Sequence, residues 1–393
     1  MAISILLHNH INRHISQNLP LSAFVRFIMK HRHAAILTCL LSLVLLPTSC
    51  KTWAPKEKPN DKNIGWGIKP FKSYRTGVWI PNVDSTILYS KASIDSALDR
   101  AKEFGVNSVY PVVWNKEEVF FNSSTVKKHL GNQFISAPES MDVLFEVAES
   151  ASTRGMSVYG WFENGLKVPL KSDDGKFFEL GKMLLDKGWL TQTKTGDHYA
   201  ECKYGVCKGF LNIAMPEVQD FVVDFLEEVA ENYDVQGVMI DDHFSWHPDM
   251  GHDTITQTKY RDHLSENSLE DSEENWLSFR TEMIVQLARK IKIAVRAYGK
   301  TLILSPGGGP DWSKLNWLQD WESMVWLKAI DEIIMQAYRY DLDGFKNHIN
   351  AKKVKILAQH TSFGVAVLTG LKNNTKSSGK LISEQTDAAL ETG

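Results

Sequence analysis

The stretch Gly237-Val238-Met239-Ile240-Asp241-Asp242-His243-Phe244 (GVMIDDHF) decides how the fold is interpreted. A short apolar run ends there in two adjacent carboxylates and a histidine. Such runs, bounded by polar or turn-forming residues, are typical of strands that are buried on both faces. In parallel α/β folds the reactive groups follow the carboxyl ends of the strands. The stretch therefore predicts a buried parallel strand that carries a candidate active site.

Six further segments have the same apolar character and recur along the chain. They are Arg75 to Ile80, Ser108 to Trp114, Ser157 to Glu163, Leu302 to Pro306, Glu332 to Tyr338 and Gly364 to Thr369. Amphipathic helical patterns follow most of them, the clearest beginning at Ser93, Pro216 and Trp276. Strands that alternate with helices predict βα units around a parallel sheet. Because no Gly-rich phosphate-binding turn follows the first strand, we predict a (β/α)₈ TIM barrel instead of an open dinucleotide-binding sheet.

The number of strands predicts that this barrel is incomplete at its carboxyl end. Seven strands can be identified, and the 22 residues after Leu371 hold one helical segment, Lys380 to Leu390. We therefore expect one α/β domain over residues 71–393, a truncated barrel that lacks its last βα unit. An open barrel leaves two strand edges unpaired, and unpaired edges favour aggregation.

The first 49 residues have the composition of an export signal. Basic residues precede a 13-residue uncharged run from Ala34 to Leu46, which is too short to span a bilayer of about 30 Å as a helix. Small residues precede Cys50, as in a lipobox. We therefore predict a lipidated Cys50, a tether over residues 50–70, and a lipoprotein of the bacterial cell envelope. A plain secretory signal and an uncleaved anchor are the alternatives.

Charge and composition exclude several classes of protein. The chain has 393 residues, of which 43% are hydrophobic and 23% charged, and its formal charge is −3. These values are those of a globular protein and exclude a disordered acidic chain or a basic nucleic-acid-binding protein. Residues 1–49 contain four of the 44 basic residues and none of the 47 acidic ones, so the remainder of the chain carries −7.

Export also changes the interpretation of the four cysteines. Cys39 lies in the predicted leader, and Cys50 is the predicted lipidation site. The remaining pair, Cys202 and Cys207, flanks a short turn-forming segment, and exported proteins are exposed to oxidising conditions. We expect a disulfide that closes this small loop, with two free thiols as the alternative.

Carboxylates, amides and aromatic rings are concentrated at the carboxyl ends of the predicted strands. Carboxylates and amides form hydrogen bonds with hydroxyl groups, and Trp and Tyr rings stack on the C–H face of a pyranose. This mixture predicts a polysaccharide substrate. The predicted substrate-binding residues are Asn115, Trp114, Trp161, His243, Gln336 and Tyr338.

Two carboxylates at neighbouring strand ends are the leading catalytic candidates. Glycosidases use a pair of carboxyl groups, about 5–5.5 Å apart in retaining enzymes and about 6.5–9.5 Å apart in inverting ones. Alternation of side chains along a strand directs Asp241 and Glu163 toward the barrel axis and leaves Asp242 to support them or cap the next loop. We predict Asp241 as nucleophile or base and Glu163 as acid, with Asp242 as a further candidate.

Several motifs in a fixed order resemble one known family, the glycosyl-hydrolase-like family 10, formerly the DUF187 group. They are Arg75-Thr76-Gly77-Val78-Trp79, Val109-Tyr110-Pro111-Val112-Val113-Trp114-Asn115, Gly160-Trp161-Phe162-Glu163, Trp189-Leu190, Leu211-Asn212, Pro216-Glu217-Val218 and the stretch 237–244. The resemblance covers about residues 71–371 and implies a TIM barrel with glycosidase activity. It also implies that the strand-three Glu of the family corresponds to Glu163 and its strand-four Asp to Asp241 or Asp242. Some members are envelope lipoproteins that act on peptide-free peptidoglycan glycan strands.

Two other classes of function stay open at the level of the sequence. His243 and His247 follow Asp241 and Asp242, and metal-dependent polysaccharide deacetylases also combine Asp and His side chains around a divalent ion. A non-catalytic glycan-binding envelope protein is the second alternative. For the favoured glycosidase we expect no cofactor and no metal. The expected partners are a polysaccharide and, through the lipid anchor, a membrane, but no nucleic acid.

Overall fold

The computed structural model describes residues 4–9, 74–136, 141–371 and 375–392. Its strands are β1 (Ser4–Asn9), β2 (Tyr74–Ile80), β3 (Ser108–Asn115), β4 (Glu118–Val119), β5 (Ser157–Phe162), β6 (Lys167–Ser172), β7 (Tyr199–Lys203), β8 (Val206–Phe210), β9 (Gly237–Asp241), β10 (Thr301–Ser305), β11 (Glu332–Gln336), β12 (Ser362–Leu368), β13 (Gly370–Leu371) and β14 (Thr375–Lys376). Its helices are α1 (Lys91–Glu103), α2 (Ser124–His129), α3 (Val143–Ser152), α4 (Glu179–Asp186), α5 (Pro216–Asn232), α6 (Thr254–Asn267), α7 (Glu273–Ala297), α8 (Pro310–Trp317), α9 (Trp321–Trp326), α10 (Leu342–Ile349), α11 (Lys352–Ala358) and α12 (Gly379–Thr392).

The main sheet is a curled series of parallel strands. Parallel pairing runs in chain order through β2, β3, β5, β9, β10, β11 and β12. These are the seven strands that the sequence predicts, each followed by helical structure. The α/β class with a parallel sheet is therefore confirmed.

One antiparallel strand pairs with both edge strands of this curled series. β1 pairs with β2 on one side and with β12 on the other. The expectation of two unpaired edges is therefore wrong for the described residues, although no parallel eighth βα unit forms. β1 lies within the predicted leader, so cleavage of that leader would remove the strand. The rest of the leader, Cys50 and the predicted tether lie outside the described residues.

Side chains of the parallel strands alternate between an inner and an outer core. The inner core takes one residue from each of the seven strands: Trp79, Tyr110, Tyr159, Met239, Ile303, Ile334 and Ala366. In β9, Met239 belongs to the inner core, whereas Val238 and Ile240 pack on the outer side toward the helices. This is the alternation predicted for the strand that ends in Asp241.

Apolar helix faces cover the outer side of the sheet. α5 begins at Pro216. Proline has no backbone N–H, but the N–H groups of the first helical residues have no acceptor within the helix, so no hydrogen bond is lost there. α5 buries Phe221 and Phe225. α1 begins after Ser90, whose hydroxyl accepts the Ser93 backbone N–H. Within the described ranges no helix is long and apolar enough to cross a membrane.

Trp114 belongs to the outer core and is not part of the substrate site. Its side chain is buried, with ring centroids 5.7 Å from Phe162 and 5.1 Å from Phe225. Val112, two positions earlier in β3, also packs in the outer core. The prediction that Trp114 binds substrate is therefore corrected: the residue fills the space between the sheet and α5.

A small antiparallel sheet lies in the segment between β5 and α5. β8 pairs with β6 on one side and with β7 on the other. A disulfide joins Cys202 and Cys207 across the β7–β8 hairpin, at the pairing that the sequence analysis favoured. Tyr204 and Gly205, both with positive φ, form the turn. These three strands are not among those predicted from the sequence.

Trp114→Ala is expected to destabilise the protein by about 3–5 kcal/mol, because it removes a fully buried aromatic side chain and leaves a cavity. Trp114→Phe keeps part of the volume and is expected to recover much of this loss. Urea unfolding of the three proteins measures the difference. An unchanged free energy of unfolding in Trp114→Ala would contradict the core role.

Candidate active site

Two loops are joined by reciprocal hydrogen bonds at the carboxyl ends of β5 and β9. The His243 ring Nδ1 donates to the Glu163 carbonyl oxygen at 2.8 Å, and the Leu166 backbone N–H donates to the His243 carbonyl oxygen at 2.9 Å. Because a carbonyl oxygen only accepts, the Nδ1 atom carries the ring proton. The two catalytic candidates from neighbouring strands are thereby held at one end of the sheet.

Close backbone approach between these loops requires a glycine at position 165. Gly165 has φ +53°, and a β-carbon there would lie 2.4 Å from the His243 carbonyl carbon. Asn164 adds a second connection, because its Oδ1 accepts the Lys116 N–H at 2.7 Å and its Nδ2 donates to the Lys116 carbonyl at 2.8 Å. The backbone around Glu163 is thus held from both neighbouring strands.

Asp241 is buried, and both of its carboxyl oxygens have donors. Oδ2 accepts the Trp161 indole N–H at 2.8 Å, and Oδ1 accepts the His243 backbone N–H at 2.9 Å. Burial, followed by the charges of Asp242 and Glu163, raises the pKa of Asp241 well above its ordinary value. The Asp241 side chain therefore connects the end of β9 to β5.

Asp242 lies across the end of β10 and is held by an amide from β11. Its Oδ1 accepts from Gln336 Nε2 at 2.9 Å, and the same amide donates to the Ser305 carbonyl. Burial alone would raise the pKa of Asp242, but the charge that His243 carries at low pH, the Lys167 charge and the Gln336 hydrogen bond lower it below the ordinary value. Asp242 is therefore an ionised carboxylate.

Burial also controls the protonation of His243. It lowers the pKa of the ring to about 4, against the opposing charge of Asp242. The ring is consequently neutral near neutral pH, and Lys167 is the cation that acts on Asp242 there. His243 thus serves the site through the hydrogen bond to the Glu163 carbonyl and not through charge.

Of the three carboxyl groups described at this end of the sheet, Glu163 has the fewest polar contacts. Its Oε2 atom is buried and has no hydrogen-bond partner in the described part of the chain. Burial raises the pKa of Glu163 to about 7; the Lys208 charge opposes this shift and Asp242 adds to it. A carboxyl group with a pKa near neutrality holds a proton that it can donate, which is the property required of a general acid.

Two lysines of the small sheet complete the electrostatics of the site. Lys167, at the start of β6, is buried with its Nζ 3.5 Å from the Trp317 ring centroid, and burial lowers its pKa to about 8. Lys208 on β8 acts on the charges of Glu163 and His243. Sequence reasoning missed both residues. Nothing in the local sequence indicates that Lys167 faces Asp242.

The structure also locates the remaining predicted site residues. Trp161, His243 and Gln336 contact the carboxyl groups as described above. Asn115 is buried and donates through Nδ2 to Asn82 Oδ1 at 2.9 Å, and Asn82 in turn donates to Glu118 at 2.7 Å. Tyr338 is half-buried against the inner core. Apart from Trp114, the predicted side chains thus follow the carboxyl ends of the parallel strands.

His247, which the deacetylase alternative requires, has other contacts. Its Nδ1 lies 3.5 Å from Asp249 Oδ2, and its ring packs edge-on against Trp317. In the ranges that the structure describes, no group of three or more His, Cys, Asp or Glu side chains is arranged as a metal site.

Comparison with known proteins identifies the family. A profile described as "Glycosyl hydrolase-like 10" matches residues 75–386. The chain belongs to this family. Glycosyl hydrolase DigH of Escherichia coli K12 and of Shigella flexneri is 26% identical over 238 residues, which cover 52% of this chain and 50% of the relative. The match thus spans about half the length of these curated relatives.

A solved structure shares the fold. The PgaB (BpsB) glycoside hydrolase domain from Bordetella bronchiseptica superposes with a TM-score of 0.51 at 14% identity, covering 70% of this chain and 80% of that domain. The resemblance to glycosyl-hydrolase-like family 10 is confirmed.

Gly165→Ala is expected to destabilise the protein more than the same change at a glycine in open space. The matched control is Gly155→Ala, because Gly155 has φ +68° and a β-carbon there meets nothing within 4 Å. We expect a loss of about 1–2 kcal/mol for the control, from backbone strain alone. Gly165→Ala is expected to lose about 1–3 kcal/mol more, from the collision with His243. Equal losses in urea unfolding would argue against close packing of the two loops.

Glu163→Gln is expected to change how stability depends on pH. Burial raises the folded-state pKa to about 7 from 4.5, so the unfolded chain releases this proton first and native stability falls as pH rises between these values. The variant lacks this loss, which is on the order of 2–3 kcal/mol. Urea unfolding over this pH range tests the difference, with exposed Glu149→Gln as the control for a simple change of charge. Parallel pH profiles for wild type and Glu163→Gln would contradict the raised pKa.

Proposed function

We propose that this protein is a glycosidase that hydrolyses a polysaccharide with Glu163 as the general acid and Asp242 as the ionised carboxylate. The observation that carries the proposal is the difference in protonation between two neighbouring carboxyl groups: burial keeps a proton on Glu163 to about pH 7, whereas Asp242 is ionised. Carboxyl groups whose environments push their pKa values apart can divide the roles of acid and base.

The proposed reaction uses the proton of Glu163 and the charge of Asp242. Glu163 transfers its proton to the glycosidic oxygen as the bond to the anomeric carbon breaks. The Asp242 carboxylate either attacks the anomeric carbon, forming a glycosyl ester that water then hydrolyses with ionised Glu163 as the base, or removes a proton from the attacking water. Gln336 orients Asp242 for this step through the 2.9 Å hydrogen bond.

Asp241, the residue favoured by strand alternation, has a supporting role in this proposal. Its two oxygens are bound by the Trp161 indole and the His243 backbone, and burial raises its pKa. A carboxyl group in this state is a poor nucleophile at neutral pH. The charges of Asp242 and Glu163 add to this shift of the Asp241 pKa.

The proposed substrate is a bacterial polysaccharide, with peptide-free peptidoglycan glycan strands as the first to test. Half-buried Trp161 and Tyr338 with the amides of Asn115 and Gln336 suit a polyhydroxylated chain. We further propose that the curled parallel sheet belongs to a (β/α)₈ TIM barrel, which the inner core from seven strands supports.

We propose the cell envelope as the location, with an anchor on Cys50. Two observations support this location. An uncharged run of export-signal length precedes the small residues before Cys50. The disulfide between Cys202 and Cys207 suits an oxidising compartment.

Incubation of purified protein with peptidoglycan glycan strands, with and without stem peptides, tests the function by mass spectrometry of the soluble products. We expect cleavage of the peptide-free strands. Glu163→Gln and Asp242→Asn are each expected to reduce the rate by about 10²-fold or more, because each removes an acid–base or nucleophilic group. Asp241→Asn is expected to have a smaller effect.

The matched control is Asp249→Asn, a highly exposed carboxylate in the loop after β9. It is expected to retain the wild-type rate. Full activity in Glu163→Gln and Asp242→Asn would reject the assigned roles. Glycan binding without any product from the wild type would favour the non-catalytic alternative.

A further inference from the structure

An exposed tryptophan stands beside the proposed active site. Trp312 is the third residue of α8, which follows β10 after the short Pro306–Gly309 loop. Its side chain is 52% exposed, whereas Trp114, Trp189, Trp246 and Trp321 are fully buried. Trp312 thus presents a large apolar surface at the end of the sheet that holds Glu163 and Asp242.

Two consecutive glycines connect Trp312 to Asp242. A β-carbon at Gly307 would lie 3.1 Å from Asp242 Cβ, and one at Gly308 would lie 2.5 Å from Trp312 Cε3. The carboxylate and the indole therefore pack against adjacent residues of one loop. Successive residues are about 3.8 Å apart, so the two side chains are separated by no more than the length of one or two sugar units.

The loop under the indole is anchored in the core. The Gly308 carbonyl accepts the indole N–H of buried Trp321 at 3.2 Å. The Trp312 carbonyl accepts from Asn316 Nδ2 at 2.9 Å, one turn along α8. A ring that rests on an anchored backbone loses little freedom when a ligand covers it, and this makes it a suitable binding platform.

We propose that Trp312 forms a stacking subsite for a pyranose unit adjacent to the glycosidic bond that is cleaved. The inference rests on the proposed function and adds a preference for chains over short oligosaccharides. A pyranose has an apolar C–H face that covers an indole and hydroxyl groups that stay in water, so it fits an aromatic ring at the open end of a polar site. Continuity with Asp242 through the two glycines favours a unit of the same polysaccharide as the occupant.

Trp326 provides a matched control. It is 47% exposed, close to the value for Trp312, and it ends α9. Its ring lies 4.4 Å from the ring of His360, shortly before the amino end of β12. Trp326 therefore lies near the end of the parallel strands opposite to the proposed active site.

The test is calorimetric titration with peptide-free peptidoglycan glycan strands separated into fractions of about eight and about two sugars. The protein carries Glu163→Gln so that the ligand is not consumed. We expect Trp312→Ala to weaken binding of the longer fraction about 5- to 10-fold, the loss of one aromatic stacking contact, and to change binding of the shorter fraction less. Trp312→Tyr is expected to restore most of the affinity, and Trp326→Ala to bind as the Glu163→Gln parent does.

Failure of this inference can be distinguished from failure of the proposed function. Equal affinities of Trp312→Ala and the parent, an equal loss in Trp326→Ala, or no binding by the parent would overturn the subsite. A loss of binding specific to Trp312→Ala, combined with no product from the wild type, would support the subsite and reject the glycosidase.

Discussion

The reciprocal hydrogen bonds between His243 and the loop after β5 are the interaction on which the site depends. The ring donates to the Glu163 carbonyl, and Leu166 donates to the His243 carbonyl. Parallel strands are about 4.8 Å apart, but the loops that follow them diverge unless something joins them. These bonds, together with the close approach at Gly165, keep the carboxyl groups of β5 and β9 within reach of one another.

Burial then gives neighbouring carboxyl groups different protonation states. Where water is excluded, an ionised carboxylate needs compensating charge or hydrogen bonds. Asp242 has both, from Lys167 and Gln336, whereas the Oε2 atom of Glu163 has no partner among the described residues. Part of the compensation comes from the disulfide-linked small sheet. This sheet, which lies outside the βα pattern, supplies Lys167, buried under Trp317, and Lys208. The charges of these two lysines shift the pKa values of Asp242 and Glu163.

Much of the fold could be predicted from local sequence patterns, but the composition of the site could be predicted only in part. The strand positions and the inward direction of Met239 and Asp241 could be predicted, because a period of two and a βα rhythm depend on neighbouring residues. Trp114 could not be placed, because nothing in its local sequence indicates that it packs against Phe162 and Phe225. The choice between Asp241 and Asp242 also required structure, because it depends on Gln336, which is 94 positions away from Asp242.

The sequence by itself determined the α/β class, the order of seven parallel strands, the family and the set of polar residues at the strand ends. These properties are encoded in hydrophobic periodicity and in motifs that are contiguous in the chain. Only the tertiary structure decided which carboxyl group is protonated, which lysines face the site and which tryptophans are exposed. Such properties depend on burial and on charges brought together from distant segments. The free energy of an ionised group is set by the atoms that surround it in three dimensions, not by its neighbours in the chain.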